Sequence, residues 1–471
     1  EPLQNSQFVG VLSVFGEAGM GKSRLIHELS RRVQTLEKQP QWFFCPADEI
    51  LKQSLNPFRY WLRRYFDQAN NHTDMENKLR FDNKLDGLIE QTAEPTLKSE
   101  LDRTRSLLGA LIDLYWQDSL YEQLEPQLRF ENSLEALKSL LKAESLRQPV
   151  IIELDDVHWA DDDTVRFARQ LTHNVEGYPL AIITASREAL PEDMFDPDTV
   201  KLSISLNTLS NDGVRRFMQM MLQQPPSDSL VRFLAERTDG NPFYLEQALL
   251  YLKEQGALSP TAGEDTLSLT FTIPTDVQAI LVARLDRLTQ DVRRIVQTAS
   301  VLGREFETQL LSHMLRSERH VRDKVEAAEH AAVWVSLSEI RYIFKHGMMR
   351  EAAYGMQLRS RLADLHYLAA TSLETLYQED VAPHYAEIAY HYDQSGRVVE
   401  AANYYFKAGD HAKNNYHNEE AQQYFGRALT LVDKWEDSAQ AQRMRYDLLL
   451  SREELYHLLG MREGQTADLE A

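Results

Sequence analysis

The sequence predicts a multidomain protein in which an α/β domain with a parallel five-stranded sheet is followed by a mostly helical chain. Three observations support this prediction. A glycine-rich loop joins an apolar run to a helical pattern near the start, and four more strand-like runs follow up to Leu206. Beyond Leu206 the pattern is helical almost throughout. A chain of 471 residues is also too long for one core and indicates about three or four domains.

The glycine-rich loop has the pattern G-x-x-x-x-G-K-[ST]. Its residues are Gly16, Glu17, Ala18, Gly19, Met20, Gly21, Lys22 and Ser23. An apolar run over residues 8–15 precedes it and a helical pattern over about 22–35 follows, which is the context in which this pattern binds a nucleoside triphosphate. Lys22 is expected to contact the β and γ phosphates, and the Ser23 hydroxyl to bind Mg²⁺. The alternative is a glycine-rich strand–helix turn without a ligand.

Composition excludes several other classes. The net charge of −21 argues against a dominant nucleic-acid surface and against docking to an anionic membrane. Cys45 is the single cysteine, so no internal disulfide forms, and a reducing cytoplasm is expected. No apolar run reaches the length of about 18 residues that suggests a membrane span. Because the chain starts with Glu1 and its first strand follows at once, we expect a piece of a longer protein.

A short strand and a long helical segment are predicted after the first helix. Residues 41–45 predict a second short strand, and residues 55–147 predict a helical insertion. Bulky apolar side chains recur there at helical spacing: Phe58, Trp61, Leu62, Tyr65, Leu107, Leu108, Leu111, Ile112 and Tyr115. We interpret these stripes as core packing rather than as a ligand site.

A second apolar run, residues 149–154, ends in Asp155 and Asp156. It predicts a buried parallel strand with its acids at the edge where open α/β sheets bind ligands. Asp155 suits a water-mediated Mg²⁺ contact, and Asp156 suits the position that orients the attacking water. This is a Walker B interpretation; a strand that ends in an acidic turn is the alternative. Glu153 interrupts the apolar run without an evident reason.

The residues after these acids predict a turn and a helix. His158 and Trp159 are interpreted as packing residues. Asp161 or Asp162 can cap a helix that begins near Thr164, because acidic side chains are favourable at a helix N-terminus.

The last two strands of the α/β domain are predicted at residues 178–185 and 200–206. The first of them is followed by Ser186 and Arg187, where a polar side chain can reach a γ phosphate. We therefore regard both residues as candidate sensors, with a plain surface turn as the alternative.

The helical part begins with patterns near residues 209–223, 227–238, 241–256 and 274–288. Asn241 is expected to cap the third helix, with Pro242 in its first turn. Helices near 291–301, 307–315 and 318–331 then precede a hairpin of residues 333–337 and 340–344, turned at Ser338-Glu339. Three helices and a hairpin are typical of a winged helix.

From residue 385 onward alanine and aromatic residues recur. Glu400-Ala401, Tyr404-Tyr405 and Ala408 return 20 positions later as Glu420-Ala421, Tyr424-Phe425 and Ala428. Small residues that face aromatic ones are typical of tetratricopeptide (TPR) hairpins, although the usual tryptophan and Leu-Gly signature is missing.

Several segments together resemble the STAND class of AAA+-related signalling ATPases, as found in large LuxR-type regulators and beside class III nucleotide cyclases or protein kinases. The matching segments are GEAGMGKSRL (16–25), LDDVHWAD (154–161), TASRE (184–188), GNPFYLEQ (240–247), IPTDVQAILVARLDRL (273–288) and FKHGMMREAAY (344–354). The resemblance implies an ATPase core of the AAA+ type over residues 1–207, a helical lid over 208–288, a winged helix over 289–345 and TPR-like repeats over 346–471.

The resemblance also implies roles for single residues. It adds Arg24 and Pro242 to the nucleotide-binding residues, and it gives His346 a contact with the ADP β phosphate. A capping or packed histidine is the alternative for His346, and Lys345 is a weaker candidate for its role. Asp156 stands where many relatives carry Glu, which predicts slow hydrolysis. The usual V-G-R-E segment ahead of the first strand is absent from this sequence.

The expected function is a cytoplasmic regulatory switch with ATP or ADP and Mg²⁺ as cofactors. The repeats are expected to bind a protein partner or a small inducer, and the effector domain is expected outside these residues of the same polypeptide. ATP-dependent self-association is a further expectation, whereas nucleic acid and membrane are not expected partners. A power-stroke ATPase and a TPR scaffold with a vestigial ATP site are the alternatives.

Overall fold

The computed structural model describes residues 7–47, 53–69, 72–254, 277–316, 318, 320–337, 341–379, 381–435 and 438–470. They form two compact units. The first comprises the described residues up to 17, from 22 to 206 and from 402 onward, and the second comprises 18–21 and 207–401. The predicted division into four domains stays a prediction.

A five-stranded parallel sheet lies at the centre of the first unit. In chain order its strands are β1 (Gly10–Phe15), β2 (Gln41–Pro46), β3 (Val150–Asp155), β4 (Leu180–Ser186) and β5 (Lys201–Ser205). In space the order is β2-β3-β4-β1-β5, and all neighbours are parallel. The predicted parallel five-stranded sheet is confirmed. Because β4 separates β1 from β3, the phosphate loop and the two acids follow strands that are not neighbours but end at the same edge.

Glu153 has a partner within this sheet. It lies on β3, and its carboxylate accepts a hydrogen bond from the indole Nε1–H of Trp42 on the adjacent β2. A buried polar group costs little when it is hydrogen-bonded, which explains how an acid is tolerated inside an apolar strand.

Helices cover the sheet and form most of the chain segments that connect its strands. In chain order they are α1 (Lys22–Val33), α2 (Asn56–Tyr65), α3 (Asp74–Gln91), α4 (Pro95–Arg103), α5 (Arg105–Ala110), α6 (Leu120–Gln123), α7 (Pro126–Arg147) and α8 (Asp162–Thr172). Most of the predicted stripe residues in this segment are buried, as in the edge-to-face pair of Phe58 and Phe167 at 4.7 Å. Tyr115 is an exception at 40% exposure.

The second unit begins with helices α9 (Asn211–Leu222), α10 (Asp228–Thr238), α11 (Pro242–Glu254) and α12 (Val277–Leu285). The hydroxyls of Ser210 and Ser227 cap α9 and α10 by accepting hydrogen bonds from Gly213 N–H and Leu230 N–H. The predicted end of the third helix, at 255–256, and the predicted start of the fourth, at 274–276, lie outside the described residues.

A small antiparallel sheet follows in this unit. The elements in order are α13 (Gln290–Ala299), β6 (Glu305–Glu307), α14 (Thr308–Met314), α15 (Val321–His330), β7 (Trp334–Ser336) and β8 (Arg341–Phe344). The sheet order is β6-β8-β7. Trp334 is fully buried beneath it and donates its indole N–H to Val325 O at 3.0 Å. The sequence pattern predicted β7 and β8 but missed β6, and the predicted turn at Ser338-Glu339 lies outside the described residues.

Further helices complete both units. In the second unit they are α16 (Gly347–Gly355), α17 (Arg359–Leu376) and α18 (Tyr385–Gln394), and α19 (Val398–Asn414) begins there. The first unit contains the rest of α19 and then α20 (Asn418–Val432), α21 (Ala439–Leu459) and α22 (Arg462–Glu470). The ring of Phe425 packs over Gly409, where a Cβ atom would lie 2.5 Å from the ring. None of the helices within the described ranges is long and apolar enough to cross a membrane.

The turn between α19 and α20 packs against the helical insertion between β2 and β3. Tyr121 Oη donates a hydrogen bond to Asn415 Oδ1 at 2.7 Å, and the ring of Phe130 lies 5.8 Å from that of His417. This contact lies wholly within the first unit. The sequence pattern did not predict it.

Candidate nucleotide-binding site

The phosphate loop leaves β1 at Gly16 and enters α1 at Lys22. A Cβ atom at Gly16 would lie 2.5 Å from Leu206 O, so the loop approaches the chain beyond β5 too closely for any side chain. Gly19 has a φ of +83°, which is in the left-handed region that favours glycine. Gly21, the second glycine that the motif requires, also has a left-handed φ, of +92°. Backbone demands therefore explain both required glycines, and also Gly19.

Lys22 is held by the loop that it follows. Its Nζ atom donates hydrogen bonds to Gly16 O at 2.7 Å and to Glu17 O at 3.1 Å. An anion bound in the loop would compete with these neutral carbonyls for the ammonium, because charge-assisted hydrogen bonds are roughly twice as strong as neutral ones. The side chain is thus already placed beside the loop that the motif assigns to phosphates.

The electrostatics of Lys22 show which side chains of the first unit lie near it. Burial lowers the pKa of its ammonium from the ordinary value. The carboxylates of Asp156 and Asp155 oppose this shift, and the guanidinium of Arg187 adds to it. The first unit therefore brings together the ends of β1, β3 and β4, as the parallel sheet requires.

The two acids differ in their surroundings. Asp155 ends β3 and is only 4% exposed, whereas Asp156 is half-buried and has a φ of 53°. Asp is among the few residues that tolerate this left-handed conformation. A short 3₁₀ turn over Val157–Trp159 follows it. The sharp change of direction places the two adjacent carboxylates in different surroundings.

The residues in this turn and directly after it agree in part with the prediction. Asp161, rather than Asp162, caps α8, since its carboxylate accepts a hydrogen bond from Thr164 N at 2.8 Å. It also accepts one from Leu55 N at 2.9 Å, which anchors the start of α2. The rings of His158 and Trp159 lie 5.1 Å apart, in agreement with a packing role.

The two sensor candidates separate in the structure. Ser186 is buried, and its hydroxyl donates a hydrogen bond to Glu188 O within its own turn. Arg187 is exposed and acts electrostatically on Lys22. Of the two candidates, Arg187 is therefore the exposed one, and Ser186 is a buried residue of the turn.

Two other predicted site residues lie at the start of α1. Ser23 and Arg24 are both exposed. The guanidinium of Arg24 pairs with Glu28 at 2.6 Å on the same helix. Exposed pairs of this kind contribute little to stability, so Arg24 could exchange this partner for a ligand at low cost.

Within the second unit, which includes residues 18–21, the start of α11 packs against the middle of the loop. Asn241 precedes α11, and its Oδ1 accepts hydrogen bonds from Phe243 N at 3.0 Å and Tyr244 N at 3.1 Å. Its Nδ2 donates to Ala18 O at 3.1 Å, and Phe243 N also donates to Gly19 O at 3.1 Å. Pro242, the other predicted site residue here, is the first residue of α11. The predicted cap is thus observed, whereas its contact with the loop was not predicted.

His346 lies beside this contact within the second unit. Its ring centroid is 4.5 Å from that of Phe243, and its Nε2 atom is buried without a hydrogen-bond partner. Burial lowers its pKa to about 4, and three cationic side chains add to this effect: Lys345, Arg304 and Arg284. The imidazole is therefore neutral at pH 7 in positive surroundings. Sequence reasoning identified His346 but missed Arg284 and Arg304, which no local pattern connects to it.

Comparison with known proteins agrees with this geometry. Residues 2–183 match the family described as AAA ATPase domain. The chain carries an AAA ATPase domain. The predicted relation to AAA+-type ATPases is therefore confirmed for the part of the chain that contains the phosphate loop and the two acids.

Relatives extend beyond the AAA ATPase domain. An uncharacterized protein of Rhizobium meliloti (strain 1021) is 24% identical over 452 residues, which are 92% of this chain and 42% of that protein. The chain thus spans about two fifths of the length of this relative.

Solved structures are similar as well. A STAND protein with a tetratricopeptide repeat sensor from Pyrococcus horikoshii is 12% identical with a TM-score of 0.48, covering 99% of this chain and 62% of that one. Cdc6p of Pyrobaculum aerophilum is 10% identical with a TM-score of 0.33, covering 75% of this chain and 92% of that one.

Proposed function

We propose that this chain is an ATP-operated regulatory switch of the STAND class that hydrolyses ATP slowly. The observation that carries the proposal is the convergence of Lys22, Asp155, Asp156 and Arg187 around the phosphate loop of the AAA ATPase domain. A lysine, two acids and an arginine at one sheet edge are the groups that phosphoryl transfer requires.

The first unit would hold the triphosphate and its metal ion. Lys22 would exchange the carbonyls of Gly16 and Glu17 for phosphate oxygens. The Ser23 hydroxyl and the Asp155 carboxylate are hard oxygen donors that suit Mg²⁺. Within the described ranges no group of three or more His, Cys, Asp and Glu side chains could hold a metal, so the nucleotide and water would supply its other ligands. When bound, Mg²⁺ would neutralise charge that develops on the phosphates.

Slow turnover is proposed from Asp156. Its side chain is one methylene shorter than that of the glutamate found in many relatives, so its carboxylate reaches less far toward an attacking water. General-base catalysis requires heavy-atom distances of about 2.6–3.2 Å, and a shorter side chain meets this condition less often. Such an ATPase would persist in its ATP state long enough to signal.

His346 is proposed as the residue that senses ADP. Its neutral ring, buried Nε2 atom and cationic neighbours favour an anion as the missing partner. A β phosphate would supply that partner and would attach the small three-stranded sheet region, proposed as the winged helix, to the nucleotide. Pro242 and Arg24 belong to the proposed nucleotide site only through the family resemblance.

The remaining parts of the proposal concern partners. The helices beyond residue 346 would act as TPR-like repeats that bind a protein or a small inducer. The effector would lie outside this chain in the same cytoplasmic polypeptide, as an N-terminal nucleotide cyclase or kinase or as a C-terminal LuxR-type DNA-binding domain. Exchange of ADP for ATP would favour an open form that can self-associate.

Calorimetric titration with ATP and ADP tests the proposal. Lys22→Ala should weaken ATP binding at least about tenfold, because a charge-assisted contact is worth ~1.5–3 kcal/mol. Lys138→Ala is the matched control, since Lys138 is a buried lysine that likewise donates to two carbonyls, Gln170 O at 2.9 Å and His173 O at 2.8 Å. Equal affinity of the parent and Lys22→Ala would reject the switch. Absence of binding in the parent would favour the TPR scaffold instead.

A further inference from the structure

Two carbonyl groups in the middle of the phosphate loop accept hydrogen bonds from the second unit, to which residues 18–21 themselves belong. Ala18 O accepts one from Asn241 Nδ2 at 3.1 Å, and Gly19 O accepts one from Phe243 N at 3.1 Å. The Asn241 amide is the side-chain member of this pair of contacts. A substitution of Asn241 can therefore remove this one contact without changing the backbone.

The direction of these carbonyls determines the direction of the amides that would bind a phosphate. A peptide group is planar and trans, so its C=O and N–H point in opposite directions. When Ala18 O points toward Asn241, the N–H of Gly19 points away from it. In the same way, the contact between Gly19 O and Phe243 N directs the N–H of Met20. Both N–H groups belong to the loop whose amides bind phosphate in this motif.

Close packing at Gly19 supports this arrangement. A Cβ atom there would lie 2.7 Å from Asn241 Oδ1 and 3.0 Å from Phe243 Cβ. Real Cβ atoms do not approach so closely, so the loop and the start of α11 pack at the distance that only glycine permits. The contact is therefore specific in shape as well as in hydrogen bonding.

We infer that Asn241 is a positioning residue of the phosphate loop, whose side-chain amide holds the Ala18–Gly19 peptide in the anion-binding orientation. This inference rests on the proposed nucleotide binding and adds a residue to it. Oδ1 and Nδ2 have separate tasks, because Oδ1 caps α11 and Nδ2 orients the loop. Nucleotide affinity thus depends on a side chain that precedes α11 and that need not touch the nucleotide.

Two variants separate these tasks. Asn241→Ser and Asn241→Asp both keep an oxygen that can cap a helix, since Ser and Asp are as effective at this position as Asn. Both lose the amide donor, and the Asp carboxylate in addition repels Ala18 O. We expect ATP and ADP affinity to fall at least about threefold in Asn241→Ser and about tenfold or more in Asn241→Asp, in calorimetric titrations at one salt concentration.

Ser210→Ala is the matched control. Ser210 caps α9 through Gly213 N at 3.2 Å, in the same unit but at a different helix. The Ser210→Ala substitution should lower the melting temperature, because a helix cap is lost, and should leave nucleotide affinity unchanged. A merely structural role of Asn241 would give the same result as this control.

The outcomes are distinct. If the parent binds ATP, Lys22→Ala loses binding and both Asn241 variants bind like the parent, the inference is wrong while the proposed function stands. If both Asn241 variants are unfolded at temperatures at which Ser210→Ala is folded, Asn241 is a structural residue and the inference is again wrong. If the parent itself does not bind, the proposed function fails first.

Discussion

The rings of His346 and Phe243 pack with their centroids 4.5 Å apart, and Phe243 N donates a hydrogen bond to Gly19 O. One residue therefore lies between the phosphate loop and a histidine whose Nε2 atom is buried without a partner. An unsatisfied buried group of this kind costs about 1–3 kcal/mol, which a bound anion could recover. This relationship supports the proposed contact of His346 with the ADP β phosphate, which we call the ADP latch.

His346→Ala should loosen ADP binding and accelerate ADP release. A charge-assisted contact of this kind is worth ~1.5–3 kcal/mol, which corresponds to about a tenfold or larger loss of ADP affinity. Two measurements test the latch. They are the ADP off-rate, from stopped-flow experiments, and the size of the protein, from solution scattering. His330→Ala, at an exposed histidine at the end of α15, is the control. If His346→Ala matches the parent in both measurements, the latch does not exist.

ADP binding should take up a proton near pH 6. His346 has a pKa of about 4 in the free protein because burial and nearby cations disfavour its charged form. A phosphate beside the ring would favour the charged form and raise the pKa back toward its ordinary value of 6.5. Calorimetry in two buffers with different ionisation enthalpies measures this uptake. It should disappear in His346→Ala, and equal uptake in the variant would assign the proton to another group.

The same pKa predicts the direction of a stability change. In the unfolded chain the imidazole titrates near 6.5, so the unfolded state gains a proton that the folded state excludes until about pH 4. Folding stability should therefore decrease as the pH falls from 6.5 to 4. Because other histidines are also buried, the part due to His346 is the difference between the parent and His346→Ala in melting temperature over this range. No difference would mean that the ring is solvated.

Steady-state ATP hydrolysis should be slow, well below the ~1–100 s⁻¹ of protein kinases. Asp156→Asn should reduce it further while changing ATP affinity less. The substitution is conservative for the backbone, because Asn tolerates the left-handed conformation that the φ of 53° at Asp156 requires. Phosphate release and calorimetry measure the two quantities. Rapid turnover by the parent would show that the chain is not a slow switch.

The contact between the start of α20 and the ATPase core should weaken as the pH rises. Glu419 is an exposed residue, and partial desolvation beside three acids raises its pKa to about 7. A hydrogen bond with Asp162 and the charges of Asp162, Asp163 and Asp161 act in the same direction. A carboxyl group whose folded pKa is raised contributes stability below its ordinary value of 4.5, and that stability is lost as the pH rises through about 7.

Glu419→Gln tests this contact, since an amide can donate to Asp162 at any pH. The variant should be more stable than the parent at pH 8 and should show a smaller loss of melting temperature between pH 6 and pH 8. Glu463→Gln, at an exposed acid on α22, is the control. A parent that is equally stable at both pH values, with no gain in the variant, would refute the expectation.

The amino-acid sequence by itself determined the strands and the phosphate loop. Apolar runs predicted β1 to β4 within one or two residues, because buried strands of a parallel sheet need nearly continuous hydrophobic residues. The edge strand β5 was predicted from alternation of apolar and polar residues. The phosphate loop could be recognised because its local backbone conformation requires glycine at fixed positions. The acids after β3 were also evident, since a strand end places them at a known edge of the sheet.

Only the tertiary structure decided the relations between distant residues. Examples are the contact of Asn241 with Ala18 O, the place of His346 beside Phe243 and the packing of the turn before α20 against Tyr121 and Phe130. The physical reason is that hydrophobic periodicity records which face of an element is buried but not which element covers it. The short strand β6 was missed for a related cause, because its edge position depends on pairing with β8 rather than on any pattern of its own.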